Sequence, residues 1–168
     1  IFMRDLKSLP QIVAEILTHK PESFEAFDDN TLKLAMRYIY DLIKLIRPKN
    51  IFSLAWQFWP EFWAILTGGM PKLVLLAEFT SDFEVELDKR ARMAERAVKK
   101  YGVKTRFVKT EEESRKYWTI RRESFNLLRY HLKDKRTAPF IDGVVVRAED
   151  LPDFLPALRR ILEQYDLE

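Results

Sequence analysis

Trp118 and Arg121 stand three residues apart in WTIRRESFNLL, a spacing that puts both side chains on one face of a helix. Phe125 and Leu128 continue that side. An arginine framed by aromatic side chains can offer its planar guanidinium fork to a carboxylate, the partner whose shape it matches best. The same spacing suits an arginine lying along the helix surface, or one pairing with Glu123 or with Glu111–Glu113. Spacing alone leaves both readings open. Beyond the helix, Lys133, Lys135 and Arg136 form a small cationic loop beside His131, which reads either as solvated charge or as an anion site. Asp142 interrupts the apolar run from Phe140 to Val146, and a carboxylate there needs an arginine or a backbone amide to face. The chain offers no acid–base pair, no serine nucleophile arrangement and no metal-ligand spacing.

Composition narrows the classes further. With 168 residues, 47% apolar and 33% charged, the chain is expected to form a single domain able to bury a full core. The net charge of +3, from 29 basic and 26 acidic residues, is too mild to imply a nucleic-acid partner without a localised patch. Having no cysteine, the chain can form neither disulfides nor thiolate catalytic or Cys-ligated metal sites, which fits a reducing, cytoplasmic setting. His19 and His131 are the only imidazoles, too few for a self-contained multi-histidine metal site. His19 reads as a helix-end residue. The opening residues Ile1-Phe2-Met3-Arg4 have strand character and lack the pattern of a signal peptide. They suggest a fragment cut from a longer protein.

The elements that must position these residues alternate between strand and helix. Leu9, Ile12, Val13, Ile16 and Leu17 predict a first helix, with Ser8 before it and Pro10 in its first turn. Ser23–Phe27 reads as a strand. Asp28-Asp29-Asn30-Thr31 then caps one long helix through Ile46 that Pro48 ends. LVLLAEF, Leu73–Phe79, is the clearest strand and is expected at the centre of the sheet. Asp82 is expected to cap a helix that Gly102 terminates. A short strand follows at Thr105–Val108, then a capping box at Thr110 opens a helix running to about Leu132. A strand over Phe140–Val146 and a helix begun by Leu151-Pro152 close the chain. That last helix should begin close to Asp153, with Phe154, Leu155, Leu158, Ile161 and Leu162 facing inward. Few glycines and no glycine-rich turn exclude a Rossmann or P-loop phosphate site. The expected class is α+β: a ferredoxin-like split βαβ with a largely antiparallel sheet and helices mainly on one face.

Residues 51–70, IFSLAWQFWPEFWAILTGGM, hold three of the four tryptophans. Gln57, Pro60 and Glu61 interrupt the stretch, which argues against a membrane span. An aromatic-rich helical insertion over about 48–71 packed on the domain, an interface with another domain, and peripheral contact with the inner face of a membrane all remain open.

Three blocks in order, LVLLAEFTSD, W-x-x-R in WTIRRESFNLL and TAPFIDGVVVRAEDLPDFLPAL, resemble the C-terminal cap domain of FAD-linked oxidases. The resemblance is to the vanillyl-alcohol-oxidase type, in its D-lactate, glycolate and D-2-hydroxyglutarate dehydrogenase branch, and runs from about Ser23 to Glu168. It implies that a separate N-terminal domain of the same polypeptide binds FAD and that this domain closes over the flavin with a 2-hydroxy acid between. The family's carboxylate-binding arginine matches Arg121, with Trp118 beside it. Some relatives carry a threonine and a lysine where this chain has Phe125 and Phe140, which makes those two candidate substrate-binding residues and turns the expectation from dicarboxylic towards monocarboxylic substrates. The family's H-x-G-D-G-N-x-H motif would fall just beyond Tyr165-Asp166-Leu167. The fragment alone is therefore expected to fold, to hold no FAD and to be inactive. The competing expectation is a stand-alone ferredoxin-like module binding a ligand or RNA. It would need paired aromatics on two central strands, where Leu73–Phe79 and Thr105–Val108 offer one each, Phe79 and Phe107.

Overall fold

A computed structural model describes residues 1–46, 69–131 and 145–167. Its sheet is built on Leu73–Glu78 (β3), which lies between Phe2–Met3 (β1) and Ser23–Asp28 (β2). β3 pairs antiparallel with both neighbours, Phe2 and Phe27 each opposite Val74. β1 and β2 are therefore parallel to one another, joined through Leu9–Thr18 (α1) with β3 between them. This is the split βαβ arrangement, and the α+β class stands.

The expectation of helices mainly on one face is corrected: described helices cover both faces. β3 is apolar on both sides, and an alternating strand with two apolar faces must be covered twice. Leu73 and Leu75 join Met3, Leu9, Ile12 and Ile16 from β1 and α1, together with Ala94 and Val98 of Glu84–Lys99 (α4). On the opposite face Val74 joins Phe27, Ala35 of Asp29–Arg37 (α2), Leu42 of Ile39–Ile46 (α3), and Ile120 and Leu127 of Glu111–His131 (α5). α5 thus belongs to the second face.

Local chemistry explains most of the boundaries. Asp28 caps α2, its Oδ1 accepting from the Thr31 amide and hydroxyl at 2.9 Å each, which meets two donors at a helix start. Burial pushes the Asp29 carboxyl up, but Lys33 at 2.6 Å and Arg159 at 3.5 Å hold it below the usual range. Thr110 caps α5 by accepting from the Glu113 amide at 3.2 Å. Gly102 follows α4 with φ of 70°, a left-handed turn that suits glycine.

Several boundaries differ from expectation. The single helix to Ile46 is broken at Tyr38, where φ −112° and ψ 35° leave the helical region. Phe83 rather than Asp82 precedes α4, and its amide donates to Ser81 Oγ at 3.2 Å, which uses the local turn instead of a carboxylate. Thr105–Val108 forms no strand. β1 is two residues long, so its outer edge offers one bridge, Phe2 to Lys104. The segment is then held by side chains, with Thr105 Oγ1 donating to Glu95 at 2.9 Å and Arg92 lying 4.9 Å over the Phe107 ring. Phe79, just beyond β3, and Phe107 therefore do not form an aromatic pair on two neighbouring strands.

The last helix, Leu151–Gln164 (α6), starts at Leu151 after a 3-10 turn over Ala148–Asp150. Leu151 and Leu155 rest on the first core, whereas Ile161 is exposed. α6 is therefore peripheral, with Phe154, Leu155, Leu158 and Leu162 half-buried as the inward side and Ile161 outside it. Val145 and Val146 form no strand; residues 140–144 of the expected strand, most of the aromatic insertion expected over about 48–71, and the loop residues Lys133, Lys135 and Arg136 lie outside the described residues. No described helix is long and apolar enough to cross a membrane.

Candidate functional site

α5 is anchored by what it buries. Tyr117, Ile120 and Leu127 point into the protein, and that choice of inward face fixes where the intervening residues go. Lys116 is also fully buried, its Nζ 4.9 Å from the centre of the Tyr117 ring, a separation at which a cation is attracted to a ring face. Arg121, next to the buried Ile120, emerges towards β2.

There it meets a carboxylate. Arg121 Nε lies 3.0 Å from Glu25 Oε2, both side chains roughly half exposed. Glu25 stands opposite Leu76 in the β2–β3 register and shares its strand face with Phe27. Sequence reading offered Glu111–Glu113 or Glu123 as partners and missed Glu25. The available signal was the alternation of β2, which puts Glu25 on the face that Phe27 buries. Glu123 instead accepts from Asn126 at 2.9 Å, and Glu111 faces Arg115 at 3.9 Å.

Beside this pair, a cleft of ≈ 590 Å³ runs between the sheet and the first half of α5. Ser23, Glu25 and Glu78 line it from the sheet; Ser114, Arg115, Trp118 and Arg122 line it from the helix. Ser23 Oγ donates to Glu78 at 3.3 Å. Trp118 also lines a second cleft of ≈ 430 Å³, between β3, the first half of α4 and residues 105–110. On its rim Arg92, at 2.6 Å and aided by Lys109, holds the Asp88 carboxyl below the usual range. Trp118 therefore lines a mixed-charge cleft against the first half of α5, and Arg121 stands beside it through Glu25. Phe125 turns outward and half exposed, with the Arg129 guanidinium 5.8 Å from its ring. Phe140 lies outside the described residues.

At the far end of α5, His131 Nε2 is 2.9 Å from Asp41 Oδ2 and its ring stacks on Tyr38 at 3.7 Å. This cluster fastens α5 to α3, which sequence reading did not foresee because Asp41 and His131 are far apart in the chain. His19 sits at the C-terminal cap of α1, the helix-end position expected.

The arrangement suits binding more than bond-making. Among the described residues no group of three or more acidic or histidine side chains could hold a metal ion. A flavin dinucleotide needs a phosphate cradle of backbone amides, commonly a glycine-rich strand-to-helix turn. The turn from β1 to α1 and that from β3 to α4 contain no glycine, and α2 follows β2 directly. The described residues do not fit the pyrophosphate of FAD, and no flavin step is derived from them. What stands beside the cleft is a guanidinium, Arg121, facing the lining carboxylate of Glu25, with Trp118 in the same lining.

Comparison with known proteins places one family over the whole chain: residues 1–168 match the family described as "FAD linked oxidases, C-terminal domain". No curated protein and no solved structure matches.

Proposed function

The chain belongs to the FAD-linked oxidases, as their C-terminal domain, and from that premise we propose that it is the substrate-facing cap of a flavin-dependent 2-hydroxy acid dehydrogenase. Membership in the family makes the parent an FAD-linked oxidoreductase. The proposal adds the substrate class, the vanillyl-alcohol-oxidase type and the role of Arg121. A separate N-terminal domain binds FAD, this domain supplies the wall across from the flavin, and the substrate carboxylate is taken by the Arg121 guanidinium. Trp118 packs beside the substrate, and Phe125 and Phe140 are the further residues the resemblance assigns to it. Hydride passing from a 2-hydroxy acid to flavin is chemistry the cofactor supplies; the protein's part is to bind and orient.

One observation carries the reading. Arg121 is held at 3.0 Å from Glu25, and Glu25 and Trp118 both line the neighbouring cleft, so the partly exposed guanidinium stands beside a space that a small acid can enter. A monocarboxylic acid such as D-lactate or glycolate fits better than a dicarboxylic one. The reason is electrostatic: the four glutamates Glu25, Glu78, Glu111 and Glu123 outnumber Arg115 and Arg122 in the cleft's lining, so each further carboxylate on a ligand adds repulsion. Anaerobic addition of D-lactate or glycolate to the full-length flavoprotein tests it. Bleaching of the oxidised flavin band within one catalytic cycle is expected; an unchanged spectrum with every short 2-hydroxy acid would contradict the substrate class.

A further inference from the structure

Arg121 and Glu25 reach each other from two elements that the core fixes independently. Ile120 buries α5 in the second core, and Phe27 buries β2 in the same core. The closest approach between them is from Nε to Oε2. Nε is the guanidinium nitrogen nearest the main chain. A carboxylate facing that atom leaves the two terminal nitrogens as an end-on fork for a second carboxylate.

We propose that Glu25 is a positioning residue for Arg121, holding the guanidinium against β2 so that its terminal nitrogens receive the carboxylate of the 2-hydroxy acid. This rests on the reading of Arg121 as the substrate's carboxylate partner. A long, half-exposed arginine otherwise samples many rotamers, and ordering it at the moment of binding weakens affinity. Glu25 does that ordering in advance. The opposite arrangement is also physically definite: Glu25 could occupy the place the substrate needs. The two differ in sign, because removing a positioning group raises KM whereas removing a competitor lowers it.

The test uses the full-length flavoprotein with D-lactate and glycolate as probes, in the variants E25A, E25Q, R121A and the double variant E25A/R121A. E25A is expected to raise KM roughly three- to tenfold, the cost of ordering one long side chain on binding, with kcat within about twofold. E25Q keeps an oxygen facing Nε–H and should restore most of the loss. In the R121A background, E25A should change KM by less than about 1.5-fold, since the two act as one unit. A fall in KM for E25A overturns the proposal in favour of competition. An unchanged KM for E25A, where R121A raises it, overturns it in favour of a merely structural pair. If R121A itself leaves KM within about twofold, the carboxylate role of Arg121 fails, and the proposal with it. Should alanine at 25 destabilise the fold, E25S gives the same readout.

Discussion

Although burial pushes the Asp29 carboxyl up, Lys33 at 2.6 Å and Arg159 at 3.5 Å hold it below its usual range. The unfolded chain therefore takes up this proton at a higher pH than the folded chain, and the stability these contacts contribute is lost as pH falls through the carboxylate range. Urea midpoints of Asp29→Asn against the unsubstituted chain at about pH 3 and about pH 7 measure it, with the larger difference expected at the higher pH; the same difference at both would contradict the depressed carboxyl. At the same scale Arg121 was legible as a candidate from its neighbour Trp118, but its partner was not. Local spacing reports residues on one helix, and Glu25 reaches α5 from a different element.

At the scale of elements, β3 organises the domain because both of its faces are apolar. Its centrality was legible in LVLLAE, whereas the two-sided covering was underestimated. A run that is apolar at every position cannot be told from a one-sided strand until its neighbours are placed. The break at Tyr38 and the peripheral seat of α6 were equally hidden, since both depend on where α5 and the first core lie. The two-faced arrangement makes a quantitative claim. Ile12 and Leu42 are both fully buried, in separate cores on opposite sides of the sheet. Ile12→Ala and Leu42→Ala should each destabilise by about 2–5 kcal/mol. Their effects should add to within about 0.5 kcal/mol, because a whole sheet separates them. Denaturant midpoints of the two single variants and the double variant decide this. A coupling above about 1 kcal/mol would point to a single shared core.

For the whole molecule, class and family were the most legible features: strand–helix alternation with few glycines fixed α+β, and three ordered blocks carried the resemblance. The cleft was less legible than the arginine on its edge. It arises where α5 leaves the sheet beside Ser23 and Glu25 of β2 and Glu78 of β3, strands 53–55 residues apart in sequence and at least 40 residues before Trp118. On the function proposed above, this domain is a binding wall whose decisive group is the Arg121 guanidinium, working on chemistry that the parent's flavin supplies. The most direct test is kcat/KM of the full-length flavoprotein carrying Arg121→Ala, with D-lactate or glycolate as substrate. A charge-assisted bond worth about 1.5–3 kcal/mol predicts a loss of roughly ten- to a hundredfold, and Arg121→Lys, lacking the planar fork, should fall between. A loss smaller than about threefold would contradict the central claim, because a carboxylate anchor cannot be removed so cheaply.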